Sequence, residues 1–180
     1  LQMFHHLLMD HTTLDTLQLE IIAHLQGRGD LLGQPVPFRN FVAEARLGIP
    51  AAEHDAYFTN LLADVEEPTI PLGLDDVRGN GQSIKEAEAD LDPNLARRLR
   101  HQARAMGISA ASLCHLAFAQ VLARVSGRDD VVFGTVLFGR MQGSEGIDQA
   151  MGLFINTLPV RIRAGQQSVH DEARRTHDQL

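Results

Sequence analysis

Cysteine occurs once in these 180 residues, at position 114, and tryptophan not at all. A lone thiol excludes an internal disulfide and suits a reducing compartment, so the cytoplasm is the expected location. Cys114 lies in an apolar helical run, where a buried structural thiol is expected rather than a nucleophile. Positive charge is also short, with 16 Lys and Arg against 23 Asp and Glu and a formal net charge of −7. Phosphate binding wants the opposite sign, which argues against nucleic acid as the main partner. No apolar run in these residues is long enough to span a bilayer and none reads as a signal peptide, so no membrane partner is expected. The length allows one domain with a real core, or part of a larger one. Because the chain starts among apolar residues and ends in a polar helical stretch from Val169 without a cap, it reads as a piece of a longer polypeptide.

What is present near the start is less ordinary. His5-His6-Leu7-Leu8-Met9-Asp10-His11 turns an apolar stretch into three imidazoles and a carboxylate. Residues 1–4 are apolar enough to end a strand. Thr12-Thr13-Leu14-Asp15 has the form of a helix start, and Leu14, Leu17, Ile21, Ile22 and Leu25 recur at helical spacing up to Gly27. The imidazoles therefore fall in a strand-to-helix loop. Unpaired N–H groups at a helix N-terminus disfavour imidazolium there and leave a proton acceptor. Taken alone, a His-His pair is more often a polar loop feature than a site. His5, His6, Asp10 and His11 also have the donor atoms of a zinc or iron site. Adjacent residues of an extended chain point to opposite sides, however, so acid/base chemistry is preferred and no metal is assigned.

Further along, helices are expected over residues 38–47 and 51–63, separated by Gly48 and Pro50. Residues 66–81 read as a long surface loop, in which Gly79 and Gly81 flank Asn80 as turn glycines without completing a nucleotide-binding motif. Alternation over residues 83–91 suggests a half-buried strand. Asp92-Pro93 opens a helix that runs to Gly107, with Leu95, Leu99 and Met106 on its buried side. Ser109 opens another, apolar nearly all round and therefore expected to be covered on all sides, with Gly127 as its stop. Residues 131–138 are continuously apolar, as a strand covered on both faces would be, and residues 155–163 alternate, with Pro159 suited to an edge or crossover. Between these strands, residues 139–146 read as a mobile glycine loop.

Several of these blocks together carry a resemblance. His5-His6-x-x-x-Asp10, Phe38-Arg39-Asn40-Phe41, the run Ser126-Gly127-Arg128-Asp129-Asp130-Val131-Val132-Phe133-Gly134-Thr135, Phe138-Gly139-Arg140, and Gly152-Leu153-Phe154-Ile155-Asn156-Thr157-Leu158-Pro159-Val160-Arg161 occur in one order. In order and spacing the sequence resembles the condensation domains of nonribosomal peptide synthetases. The first motif alone also occurs in other acyltransferases related to chloramphenicol acetyltransferase, and the later blocks are the more specific ones. The resemblance implies a chloramphenicol-acetyltransferase-like fold, a two-layer α/β sandwich whose two lobes surround a tunnel. The chain would be a partial domain, the end of the first lobe plus most of the second. Residues 1–26 would carry the active-site loop and the following helix, 27–81 helices and a long loop, and 82–180 the second-lobe core.

The same resemblance implies amide formation between two carrier-bound thioesters, the acceptor amine attacking the donor carbonyl, with the fragment alone inactive. His6 maps onto the catalytic histidine, His5 onto a structural neighbour and Asp10 onto a structural carboxylate paired with an arginine, expected in the missing lobe. No cofactor is bound directly. Substrates would arrive on the phosphopantetheine arms of donor and acceptor peptidyl carrier proteins, beside adjacent synthetase domains, and no substrate-binding residue is assigned. His11 departs from the glycine usual after the motif, a position where glycine normally serves backbone conformation or close packing. Thr12-Thr13-Leu14 does not match an epimerisation domain, and a heterocyclisation domain replaces the histidines by Asp. Two other readings stand beside this one: a relative making an ester or amide with a soluble acceptor, and a non-catalytic scaffold that gates carriers. Arg97, Arg98, Arg100 and Arg104 are taken as a solvated helix face, and Asn156 and Arg161 as structural.

Overall fold

The computed structural model describes residues 3–74, 82, 85–142, 146–165 and 167–180. Six helices and two strands are formed among them: α1 (His11–Leu25), α2 (Phe38–Leu47), α3 (Ala51–Leu62), α4 (Pro93–Met106), α5 (Ala110–Ser126), β1 (Asp130–Phe138), β2 (Ile155–Arg163) and α6 (Val169–Gln179). The turn glycines Gly79 and Gly81, with Asn80, lie outside the described residues. No single helix among the described residues is long and apolar enough to cross a membrane.

Local chemistry sets the helix limits. Asp92 accepts hydrogen bonds from the backbone N–H groups of Asn94 and Leu95, and Pro93 occupies the first turn, where no intrahelical donor is needed. Gly107 closes α4 in a left-handed conformation, φ 69°, that few other residues adopt readily. Ser109 and Ser168 cap α5 and α6 in the same manner as Asp92. Helix α1 begins one residue before Thr12. Its N-cap is Asp10, whose Oδ1 accepts the Thr13 N–H at 2.8 Å. Ahead of it, Met3 and Phe4 form no strand and residues 6–8 make a turn closed by the Leu8 N–H donating to the His5 carbonyl at 2.8 Å.

The strand expected over residues 83–91 is also not formed. Residues 85–91 are exposed and irregular, while Ser83 and Ile84 lie outside the described residues. Alanines alternating with acidic side chains offer little apolar area to either face of a sheet, so alternation alone does not hold a strand.

The chain divides into two compact units, Leu1–Ala63 with Thr135–Leu158, and Asp64–Gly134 with Pro159–Leu180. Strands β1 and β2 form a two-stranded sheet. They pair antiparallel, with Ala164 N–H donating to Asp129 O at 2.7 Å at one end and Gly139 N–H to Phe154 O at 2.8 Å at the other. In the second unit a helical layer packs on this sheet. Leu116, Ala119, Leu122 and Ala123 of α5 meet Val131, Val160 and Ile162, with Ala164 and Ala173 filling the remaining space. Each large side chain buried this way contributes about 1.5–3 kcal/mol. Only one stripe of α5 is covered, however. Phe118 and Val121 on the other side are 50% and 57% exposed, and Cys114 is exposed with them, which corrects the expectation of an all-round buried helix and a buried thiol. Val136 and Phe138 of β1 are exposed as well, so that strand is not covered on both faces here. An all-apolar run shows that a surface can be buried, not that its cover belongs to the same 180 residues.

Two of the sequence blocks meet through charge in the second unit. Asp130, opposite Arg163 across the ladder, accepts from Arg163 Nε at 3.1 Å and from Arg161 Nε at 2.9 Å, and Asp64 binds the same two guanidinium groups. Arg161 is buried in this quartet, which gives its structural assignment a physical form. The side chain of Asn156 is turned back on its own strand, its Oδ1 accepting the Thr157 N–H at 2.9 Å.

Candidate active site

The first unit builds a buried polar knot directly after the histidine pair. The Asp10 carboxylate accepts from Arg140 Nη2 at 3.0 Å, from the Thr13 N–H and, through Oδ2, from the Phe154 N–H at 3.2 Å. Arg140 is held from several sides at once. Its Nη1 donates to the carbonyls of Ile147 at 3.1 Å and Ala150 at 2.5 Å, and its guanidinium lies 3.9 Å over the Phe154 ring. Phe154 is itself packed against Phe38 and Phe41, at ring separations of 5.1 and 4.7 Å. A cation stacked on an aromatic face and paired with a carboxylate out of water is a strong local arrangement.

Gly152 completes the knot. A Cβ at this position would lie 2.2 Å from Cδ2 of Phe38, whose ring is locked between its aromatic neighbours. Backbone, not side chain, therefore faces Asp10 and Thr13. Arg140 was the residue that sequence reasoning placed outside the chain. It lies within it, at the start of the segment read as a mobile glycine loop, and residues 139–142 form a 3₁₀ turn there.

These contacts set the charge state of Asp10. Burial pushes its carboxyl up, but the Arg140 guanidinium and the N–H donors of Thr13 and Phe154 outweigh that and hold it below its ordinary value of 3.8. Asp64 is held down to about 2 by hydrogen bonds from Arg161, and Asp130 is lowered first by Arg161 and then by Arg163, against the effect of burial. A carboxylate with a lower pKa folded than unfolded binds fewer protons in the folded state, so its contribution is complete above 3.8 and disappears as pH falls toward about 2. These carboxylates are accordingly expected to cost the folded protein stability as pH falls below 3.8. Chemical denaturation followed by circular dichroism at a series of pH values checks this. A midpoint that is flat from pH 5 to pH 2 would contradict the pairing.

The two histidines of the pair are treated differently by the backbone. His5 Nδ1 accepts the Leu7 N–H at 3.1 Å, so this ring is engaged in shaping the turn. His6 is exposed, its ring edge-on to Phe4 at 5.9 Å, and its nitrogens have no hydrogen-bond partner among the described residues. His11 stands at the first position of α1 with ordinary right-handed helical geometry, its side chain out in solvent and 3.6 Å from Asp15. The position does not use the left-handed conformations that would require glycine. Among the described residues, no three of His, Cys, Asp and Glu converge as metal ligands.

The chain is a member of the condensation domain family, whose model matches residues 1–180. It is 49% identical over 179 residues to malpinin synthetase and 48% identical to malpibaldin synthetase, both of Mortierella alpina, covering 99% of this chain but only 2% and 3% of those proteins. Surfactin synthase subunit 2 of Bacillus subtilis (strain 168) is 30% identical over 164 residues, 88% of this chain and 4% of that protein. Among solved structures, the first condensation domain of the CDA synthetase superposes with a TM-score of 0.70 at 25% identity, covering 97% of this chain and 40% of that one. The condensation domain from the monacolin K polyketide synthase MokA gives 0.72 at 20% identity, covering 98% and 42%. The fold is thus the chloramphenicol-acetyltransferase-like α/β sandwich of these domains, in part.

Proposed function

We propose that these residues form part of a condensation domain that joins two carrier-bound thioesters through a new amide bond. The acceptor amine attacks the donor thioester carbonyl, the C–N bond forms, the C–S bond breaks, and the donor thiolate leaves. His6 takes the proton lost by the amine and returns it to the departing sulfur, the work of a general acid/base. His5 shapes the turn and Asp10 anchors it. The observation that carries this reading is the contrast within the pair: His5 is tied to the backbone and Asp10 is buried under Arg140, while the His6 ring is left free to meet a substrate.

The partners in this scheme are donor and acceptor peptidyl carrier proteins, whose phosphopantetheine arms deliver both substrates, so no cofactor need be bound by the domain itself. Neighbouring synthetase domains, and a cytoplasmic setting, go with that supply. The 180 residues alone cover 40% of a solved condensation domain, and by themselves they are expected to form no amide.

The test uses the intact parent domain with defined donor and acceptor loaded on their carriers, following dipeptidyl thioester by mass spectrometry. Product on the acceptor carrier supports the proposal. Product only with a free amine or alcohol would replace it by acyl transfer to a soluble acceptor, and no product from a folded domain would favour a carrier-gating scaffold. In the same assay His11→Gly is expected to turn over within a few-fold of the starting protein, because His11 is helical and solvent-facing. A much larger loss would assign His11 a part in the chemistry.

A further inference from the structure

We infer that Thr13, which the sequence motif leaves without a role, is a positioning residue for the histidine loop: its hydroxyl is the joint that fastens Asp10 and the first turn of α1 to the segment carrying Gly152 and Phe154. A threonine hydroxyl offers one donor and two acceptor sites. This one uses all three, donating to Gly152 O at 2.8 Å and accepting from Gly152 N–H at 3.0 Å and from Arg140 Nη2 at 2.8 Å. The side chain is 2% exposed, so water has no route to replace those partners. Both backbone groups of Gly152 therefore converge on a single oxygen.

That oxygen also decides where the arginine points. Arg140 Nη2 is shared between Thr13 Oγ1 and Asp10 Oδ1, so the hydroxyl holds the guanidinium in the place from which it reaches the carboxylate. Asp10 N–H in turn approaches Gly152 O at 3.4 Å, and Phe154 N–H bonds Asp10 Oδ2. Neither amide touches Thr13. Both depend on Gly152 and Arg140 being where Thr13 keeps them, and Asp10 ends the loop that begins at the histidine pair.

Thr13→Val keeps the shape and the N–H that Asp10 caps, and removes only the hydroxyl. Leaving buried polar groups unpaired in this way is typically worth about ten- to a hundredfold in an equilibrium. Amide hydrogen exchange in the intact domain is expected to quicken by about that factor at Asp10 and Phe154, and Thr13→Ser, which restores the oxygen, is expected to return it to the starting rate. Exchange that quickens at Gly152 alone, with Asp10 and Phe154 protected as before, would reduce Thr13 to a local contact and overturn the inference. If the valine variant does not fold, Thr13→Cys gives the same comparison, since a thiol is only a weak donor and acceptor. Full protection of Asp10 and Phe154 in that variant would again overturn the role.

The kinetic consequence rests on the proposed amide-forming function: kcat per folded molecule is expected to fall about ten- to a hundredfold in Thr13→Val with the acceptor KM unchanged, and to recover in Thr13→Ser. An active wild type whose kcat is unaffected by Thr13→Val would refute the link to catalysis. An inactive wild type with the exchange result intact would refute the function and leave the positioning role standing.

Discussion

His6→Ala in the intact domain, with both carriers loaded, is expected to lower dipeptide formation by about two to four orders of magnitude, the span a positioned acid/base group usually supplies. The effect should fall on kcat while carrier affinity and the unfolding midpoint stay near those of the starting protein, because the His6 ring is exposed and makes no hydrogen bond among the described residues. His5→Ala is expected to behave differently. Its Nδ1 closes the turn by accepting the Leu7 N–H, so the loss should include reduced order in the loop. If His6→Ala retained most of its turnover while His11→Gly abolished it, the proton would be handled by His11, and the proposed role of His6 would fall.

Arg140→Met is expected to destabilise the domain by about 3–5 kcal/mol, the usual cost of leaving one member of a buried ion pair without its counter-charge. The Asp10 and Arg140 side chains are only 2% and 9% exposed, so solvent cannot take over. Asp10→Ala removes the cap of α1 as well as the charge, and is expected to lower the yield of folded protein. Because each single change strands the other partner, the double variant should cost clearly less than the two separate changes added together. Urea denaturation of the four proteins measures this. Strict additivity would show that Asp10 and Arg140 do not act on one another.

How much of this was legible in the sequence depended on distance along the chain. Asp92-Pro93, Ser109, Gly107 and Gly127 placed the limits of α4 and α5 because capping is settled by three or four neighbouring residues. The strands β1 and β2 were likewise visible in their own composition. Arg140 was not assigned to Asp10, although Phe138-Gly139-Arg140 stood out as a block, since nothing local links two residues separated by 130 positions. Thr13 escaped for the same reason, and its partner Gly152 is a further backbone group with no signature of its own. The exposed faces of α1, α5 and β1 mark another boundary. Periodicity identified Ile21, Ile22 and Leu25 as an apolar face, yet these residues remain exposed, because a pattern names a surface without naming what lies on it.

The separation of Asp10 from Arg140 has a meaning in time. A ribosome adds about 5–20 residues per second, so the 130 positions between them correspond to about 6.5 to 26 s of synthesis. Throughout that interval the nascent histidine loop has neither the guanidinium that will balance Asp10 nor the Gly152 backbone that will meet Thr13. Asp10 must stay hydrated until both emerge, and α1 waits on a chain segment made long after it. The histidine loop is thus translated before both of the segments that hold it in place.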